Sequence, residues 1–189
     1  MINETEQSDL KKSSTRLGRG KKKQTKPLRW EQRLVQIQRV SKVVKGGKKL
    51  SFRATVVIGN QNSQVGVGVG KADEVSVAVK KAINDAKKTL ITIPLTKTKT
   101  ISHTVIGIDG ASKVFIRPAG AGTGVIAGSS IRIVLELAGI QNISAKQLGG
   151  NNILNNARAT ILALKSLKTA AQVAEERDIT LERLFNYKT

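Results

Sequence analysis

Two glycine clusters, one Ser–His pair and one lysine-rich stretch have residue types and spacings that chemistry can use. In the first cluster, Gly66-Val-Gly68-Val-Gly70-Lys71-Ala72, glycines beside a lysine suggest a phosphate cradle. A P-loop keeps four residues between its first glycine and the Gly-Lys pair, and follows the lysine with Ser or Thr to hold magnesium. Val65 stands at the first of those positions and Ala72 at the last, so both requirements fail. The remaining reading is mechanical: small residues let a helix lie close against a strand.

The second cluster, Gly120-Ala-Gly122-Thr-Gly124-Val-Ile-Ala-Gly128-Ser129-Ser130, lies between a predicted strand and a predicted helix. Amides at such a place can cradle an anion. Gly122 to Ala127 fits the loose dinucleotide fingerprint, which also wants an acid about 20 residues further on. No residue between Leu137 and Ala174 is acidic. The spacing also resembles the loop of small-molecule kinases of the galactokinase and homoserine kinase type, which makes such a kinase the alternative function. Such a kinase needs a carboxylate for magnesium, and Asp109 and Glu136 are the only acids between Ala86 and Lys165. His103 follows Ser102 with no Asp nearby, and no serine carries a nucleophile-elbow pattern of glycines. The expectation is no catalytic residue, no metal site, no cofactor and no small-molecule substrate.

The lysine-rich stretch runs from Arg39 through Lys42, Lys45, Gly46, Gly47 and Lys48 to Lys49. Lysines supply charge, while glycines let backbone amides approach and donate to phosphate oxygens. Charge across the whole chain agrees: 33 Lys and Arg face 13 Asp and Glu, a net +20 that repels itself unless a polyanion neutralises it. From Lys11 to Arg33 the chain is basic, with Glu31 the single acid, and it is expected to be disordered in isolation. No acid at all lies between Gln32 and Ala72, whereas acids gather from Glu175 to Glu182. The absence of cysteine excludes disulfides and thiolate sites. Aromatic residues at 3% are too few for repeated base stacking. No apolar run is long enough to span a bilayer, so no membrane partner is expected.

The elements that must hold these residues follow from periodicity. Leu34 to Val44 alternates as a strand, Gly46–Gly47 reads as a hairpin turn, and Leu50 to Ile58 runs back. Gly59 to Ser63 is a polar turn and Gln64 to Gly70 a third strand. From Asp73 to Leu90 the apolar spacing is helical, with acids in the first turn and Lys87 and Lys88 in the last, as the dipole favours. A second unit follows: strands at Ile91 to Leu95, Thr104 to Ile108 and Lys113 to Pro118, a helix from Gly128 to Ala138, a strand from Gln141 to Lys146, and a helix from Asn152 to Leu167. The fold class is therefore α+β: a β-β-β-α unit like a double-stranded-RNA-binding domain, then a C-terminal α/β two-layer domain. The expected divisions are a basic tail at 1–33, domains at 34–95 and 96–167, and an extension at 168–189. The Thr/Lys run from Leu95 to Thr100 is too polar for a core and marks the boundary.

Four motifs in order resemble one family: Arg39-Val-Ser-Lys-Val-Val-Lys-Gly-Gly, Val65 to Ala72, Arg117-Pro118 with Gly122 to Gly128, and Ala145-Lys146 with Asn155 to Ala159. The family is the fifth protein of the small ribosomal subunit, of the bacterial and organellar type, matched over residues 30 to about 167. The resemblance implies no enzyme. It implies a ribosomal protein that binds small-subunit rRNA, abuts small-subunit proteins four and eight, and shapes the channel where mRNA enters, with an influence on accuracy. By that match Val40, Ser41 and Lys42 fall where spectinomycin resistance arises, and Gly124 and Arg132 at the contact with protein four. Charge and resemblance together predict rRNA contacts at Arg39, Val40, Ser41, Lys42, Lys45, Gly46, Gly47, Lys48, Lys49, Arg53 and Lys71. The Asn-rich phrase Gly149-Gly-Asn-Asn resembles plastid and cyanobacterial patterns, which implies a ribosome in the chloroplast stroma or cyanobacterial cytoplasm.

Overall fold

The computed structural model describes residues 30–185. The basic tail expected over 1–33 lies outside the described residues except for its last four. Of those, Glu31 to Arg33 already belong to a strand.

β1 (Glu31–Val44), β2 (Gly47–Gly59), β3 (Gln64–Ala72) and β4 (Ile91–Thr92) form one antiparallel sheet in that order, with α1 (Val75–Lys88) between β3 and β4 in sequence. β5 (Val105–Asp109), β6 (Ser112–Pro118), β7 (Val125–Ile126) and β8 (Ile143–Gly149) form a second sheet, ordered β5-β6-β8-β7. α2 (Ser129–Leu137) and α3 (Ile153–Lys165) serve this sheet, and the short α4 (Ala170–Glu176) and α5 (Leu181–Phe185) follow. This is the α+β architecture expected, with differences at particular joints. Ile91–Thr92 pairs with β3 and closes the first sheet instead of opening the second unit. α1 begins at Val75, so Asp73 and Glu74 precede its first turn; Asp73 instead accepts from the Ser51 hydroxyl at 3.2 Å.

Small residues decide how α1 lies on the first sheet. A Cβ at Gly66, Gly68 or Gly70 would stand 2.5, 2.2 or 2.2 Å from the carbonyl oxygens of Ala86, Ala82 and Ala78. The mechanical reading of that glycine cluster is therefore correct. Ala54, Val56 and Ile58 of β2 complete this interface. α1 also shields the β3 edge: the Thr89 hydroxyl donates to the Val67 carbonyl (2.9 Å) and Asp85 accepts from the Val69 amide (3.0 Å). An edge strand with its groups satisfied this way does not recruit another strand there.

The opposite face of the first sheet carries Val57, Val65 and Val67 into one apolar core shared with Val114, Ile116, Ile131, Leu135, Leu137, Ile143 and Leu164 of the second unit. The segment read as a polar boundary is part of this packing. Thr100 and Ile101 are buried, the Gln141 amide donates to the Lys99 carbonyl, and the Asn142 side chain donates to the Thr98 carbonyl. Backbone hydrogen bonding allows polar side chains there, because the peptide groups find partners across the loop.

The units meet most closely where the β2–β3 turn docks on the end of α2. Gln61 and Ser63 amides donate to the Leu137 and Ala138 carbonyls, each at 3.0 Å, which satisfies acceptors that a helix end leaves open. Both donors have positive φ (56° and 77°), a conformation unfavourable for side-chain-bearing residues. Buried Asn60 holds the turn, its Oδ1 accepting from the amides of Asn62 and Gln64. A Cβ at Gly59 would lie 2.1 Å from the Leu137 oxygen. Gly59→Ala should therefore lower stability in urea by about 1–3 kcal/mol or more, the cost of overpacking a closed contact. Gly120→Ala, with open space around its Cβ, should stay within about 0.5 kcal/mol of the parent.

Candidate nucleic-acid interface

β3 ends opposite Phe52, but β1 and β2 continue beyond it as a two-stranded ribbon, paired from Val40–Ser51 to Val44–Gly47. Every residue from Ser41 to Leu50 is exposed, including Val43, Val44 and Leu50. The turn consists of Lys45 and Gly46, with Gly46 at φ 93°, while Gly47 opens β2. The expected Gly46–Gly47 turn is thus displaced by one residue, because Gly47 pairs with Val44.

Alternation divides the predicted rRNA contacts between two faces. Val40, Lys42, Lys49, Arg53 and Lys71 share the face turned away from α1. Lys42 stands directly opposite Lys49, and Arg53 lies between Lys71 and Gln38, donating to the Gln38 side chain at 2.6 Å. Arg39, Ser41 and Lys48 share the other face with Ile37, Leu50 and Phe52. Lys45 and Gly46 occupy the tip. Among the described residues, none of these cations is in an ion pair. Like charges directly opposite on a sheet destabilise it, and a bare two-stranded ribbon is marginal in water. A polyanion across the Lys42–Lys49 pair removes the first penalty and supports the second element.

The second glycine cluster is organised differently from an anion cradle. Asn142 Oδ1 accepts from the amides of Gly122 (2.9 Å) and Gly124 (3.4 Å), so a side chain of this protein occupies the donors that a phosphate would use. β7 lies inside the stretch read as a loop and pairs in parallel with β8. Gly122 and Gly124 adopt φ of 89° and 75°, which suits glycine. Among the described residues, no three His, Asp or Glu side chains gather as a metal site requires.

Gly124 and Arg132 lie apart from the ribbon, in the loop before α2 and on α2 itself. Arg132 Nε donates to Glu136 at 2.7 Å, and Arg33 of β1 reaches the other oxygen of the same carboxylate at 2.5 Å. Sequence reasoning missed this tie, because Arg33 and Glu136 are distant along the chain and only the shared core brings them together. The Arg132 hydrogen bond, with help from Arg33, holds the Glu136 carboxyl below its ordinary range, against a smaller opposing effect of burial.

These features define a class: a small, strongly basic α+β protein that presents a cationic β-ribbon on a body of two units sharing one apolar core. Residues 30–94 match the family described as "Ribosomal protein S5, N-terminal domain", and residues 107–177 match "Ribosomal protein S5, C-terminal domain". The chain is 59% identical over 170 residues to small ribosomal subunit protein uS5 of Trichormus variabilis, covering 89% of this chain and 98% of that one. It is 62% identical over 156 residues to the uS5 protein of Synechocystis, covering 82% and 90%. It is 59% identical over 157 residues to uS5c of Pyropia yezoensis, covering 83% and 90%. The chain belongs to the ribosomal protein S5 family of the small ribosomal subunit.

The Glu136 tie predicts a pH signature. A carboxyl with a lowered folded-state pKa contributes stability above its ordinary value, and that contribution is lost as pH falls through the folded value. Glu136→Gln should therefore be less stable than the parent near pH 7. Thermal unfolding should show that difference shrinking towards zero as pH drops below about 4.

Proposed function

We propose that this chain is a non-catalytic constituent of the small ribosomal subunit that binds rRNA through its ribbon. The observation that carries this reading is Lys42 facing Lys49 across an exposed strand pair, with no acid paired to either among the described residues. The proposed contacts are Arg39, Val40, Ser41, Lys42, Lys45, Gly46, Gly47, Lys48, Lys49, Arg53 and Lys71. The exposed glycine tip admits a phosphate close to the backbone.

The finer parts of the role rest on family membership joined to placement. Gly124 and Arg132 lie on the second unit, where they are available to small-subunit protein four. Contact with protein eight and a position at the mouth of the mRNA channel, with an effect on accuracy, complete the proposal. Cyanobacterial and plastid relatives support a ribosome of the cyanobacterial cytoplasm or plastid stroma.

Binding of small-subunit rRNA should weaken steeply with salt. The slope of log K against log salt should be about −0.9 per duplex phosphate neutralised, or about −0.7 on single strands. A slope near zero would refute electrostatic docking. Lys42→Glu gives a sharper test, since it places opposite charges across the ribbon. It should leave the folded protein equally or slightly more stable, by up to about 1 kcal/mol. Combined with Lys45→Glu it should weaken rRNA binding and lower incorporation into subunits. Normal incorporation of that double variant would show that the tip is not a contact.

A further inference from the structure

Of the lysines outside the ribbon, four form a pattern of their own. Lys80, Lys81, Lys87 and Lys88 are all exposed on α1. At about 100° per residue they fall within roughly 120° of the helix surface, centred on Asn84 and opposite the buried Ala78, Ala82 and Ala86. Lys80 and Lys87 form one row and Lys81 and Lys88 another, each about 10 Å long from seven residues of helical rise. The one acid within α1, Asp85, borders the Lys81–Lys88 row, about 100° round the helix from Asn84, and is committed to the Val69 amide. Asp73 and Glu74 stand only at its end, before the helix begins.

We propose that this face of α1 is a second, separate surface for the phosphate backbone of base-paired RNA. It rests on the rRNA role proposed above and extends it. α1 covers one face of the first sheet, so its lysines point to the opposite side from Lys42, Lys49 and Arg53, while Lys71 at the end of β3 lines one concavity with Lys81. One straight RNA segment cannot reach both sets, and the N-terminal unit holds two RNA segments with the sheet between them. The patch lacks aromatic side chains and has one exposed apolar residue near its centre, Val77. Backbone contact without base readout suits it. Lysine is depleted from the cores of protein–protein interfaces, which argues against a protein occupant.

The test uses the full chain and transcribed small-subunit rRNA. Lys80, Lys81, Lys87 and Lys88 are changed together to Gln, which keeps helix propensity close to the parent's. Circular dichroism and thermal unfolding verify the fold. If the quadruple variant folds poorly, the row variants Lys80→Gln/Lys87→Gln and Lys81→Gln/Lys88→Gln replace it. The four changes should reduce the steepness of the salt dependence by about three to four, and each row by about two. Affinity near physiological salt should drop by about tenfold or more. Because the surfaces are separate, these losses should add to those from Lys42→Gln/Lys49→Gln.

The outcomes separate the two claims. A flat salt dependence in the parent would overturn the rRNA reading itself. A steep parent slope that only the ribbon variant reduces would overturn the α1 surface alone. An α1 variant that binds rRNA normally yet fails to enter subunits would assign this face to a protein neighbour, which also overturns the proposal.

Discussion

The arrangement depends on the seam where the turn from Gly59 to Gln64 closes the end of α2. Gln61 and Ser63 donate their amides to the last carbonyls of that helix, and both adopt left-handed backbone to do so. Gly59 supplies the room, since any side chain there would strike the Leu137 carbonyl. On the other side Gly139, at φ 86°, lets its own backbone lie against the Gln61 carbonyl. Two units that share an apolar core and exchange backbone hydrogen bonds at its rim have little freedom to hinge. β2 runs unbroken from Gly47 at the ribbon to Gly59 at the seam, so the tip is carried on a strand about 40 Å long.

Electrostatics follows from where the acids are spent. Glu136 is shared by Arg33 and Arg132, Asp85 holds an edge amide, Asp73 takes the Ser51 hydroxyl, and Glu31 accepts from the Gln61 side chain. Each of these carboxylates holds the body of the protein together and none reaches the ribbon cations. The excess positive charge therefore faces outward on a frame whose own contacts are mostly apolar and backbone. Such a division keeps the contacts that hold the fold apart from the self-repulsion of the excess charge. The glycine-rich loop before α2 shows the same economy. Its donors are bound by Asn142, so a loop that looks phosphate-ready serves the internal joint between Thr98 and Gly124.

Much of this was legible along the chain. Alternation located the first three strands, and Gly66, Gly68 and Gly70 announced a helix pressed on a strand, because local spacing alone controls which face a side chain occupies. Composition argued for a polyanion partner and against thiolate chemistry, since neither conclusion needs coordinates. The lysines of α1 were visible too, but Lys87 and Lys88 read as dipole partners. Recognising them as half of a patch requires knowing that Asp85 is committed to the Val69 amide. The strand expected over Ile91 to Leu95 shortens to Ile91–Thr92 and joins the first sheet, because the choice between neighbouring sheets rests on tertiary pairing.

What the sequence determined by itself was the identity of the local elements, the sign and placement of the charge, and the family to which the motifs point. These depend on residue type and on separations of a few residues. Tertiary structure alone decided that the two units share one core, that Arg33 and Arg132 meet on Glu136, and which cations stand on which side of the sheet. It also decided that the second glycine loop is already filled. The reason is physical: each of these depends on contacts between residues tens of positions apart, where packing rather than spacing chooses the partner.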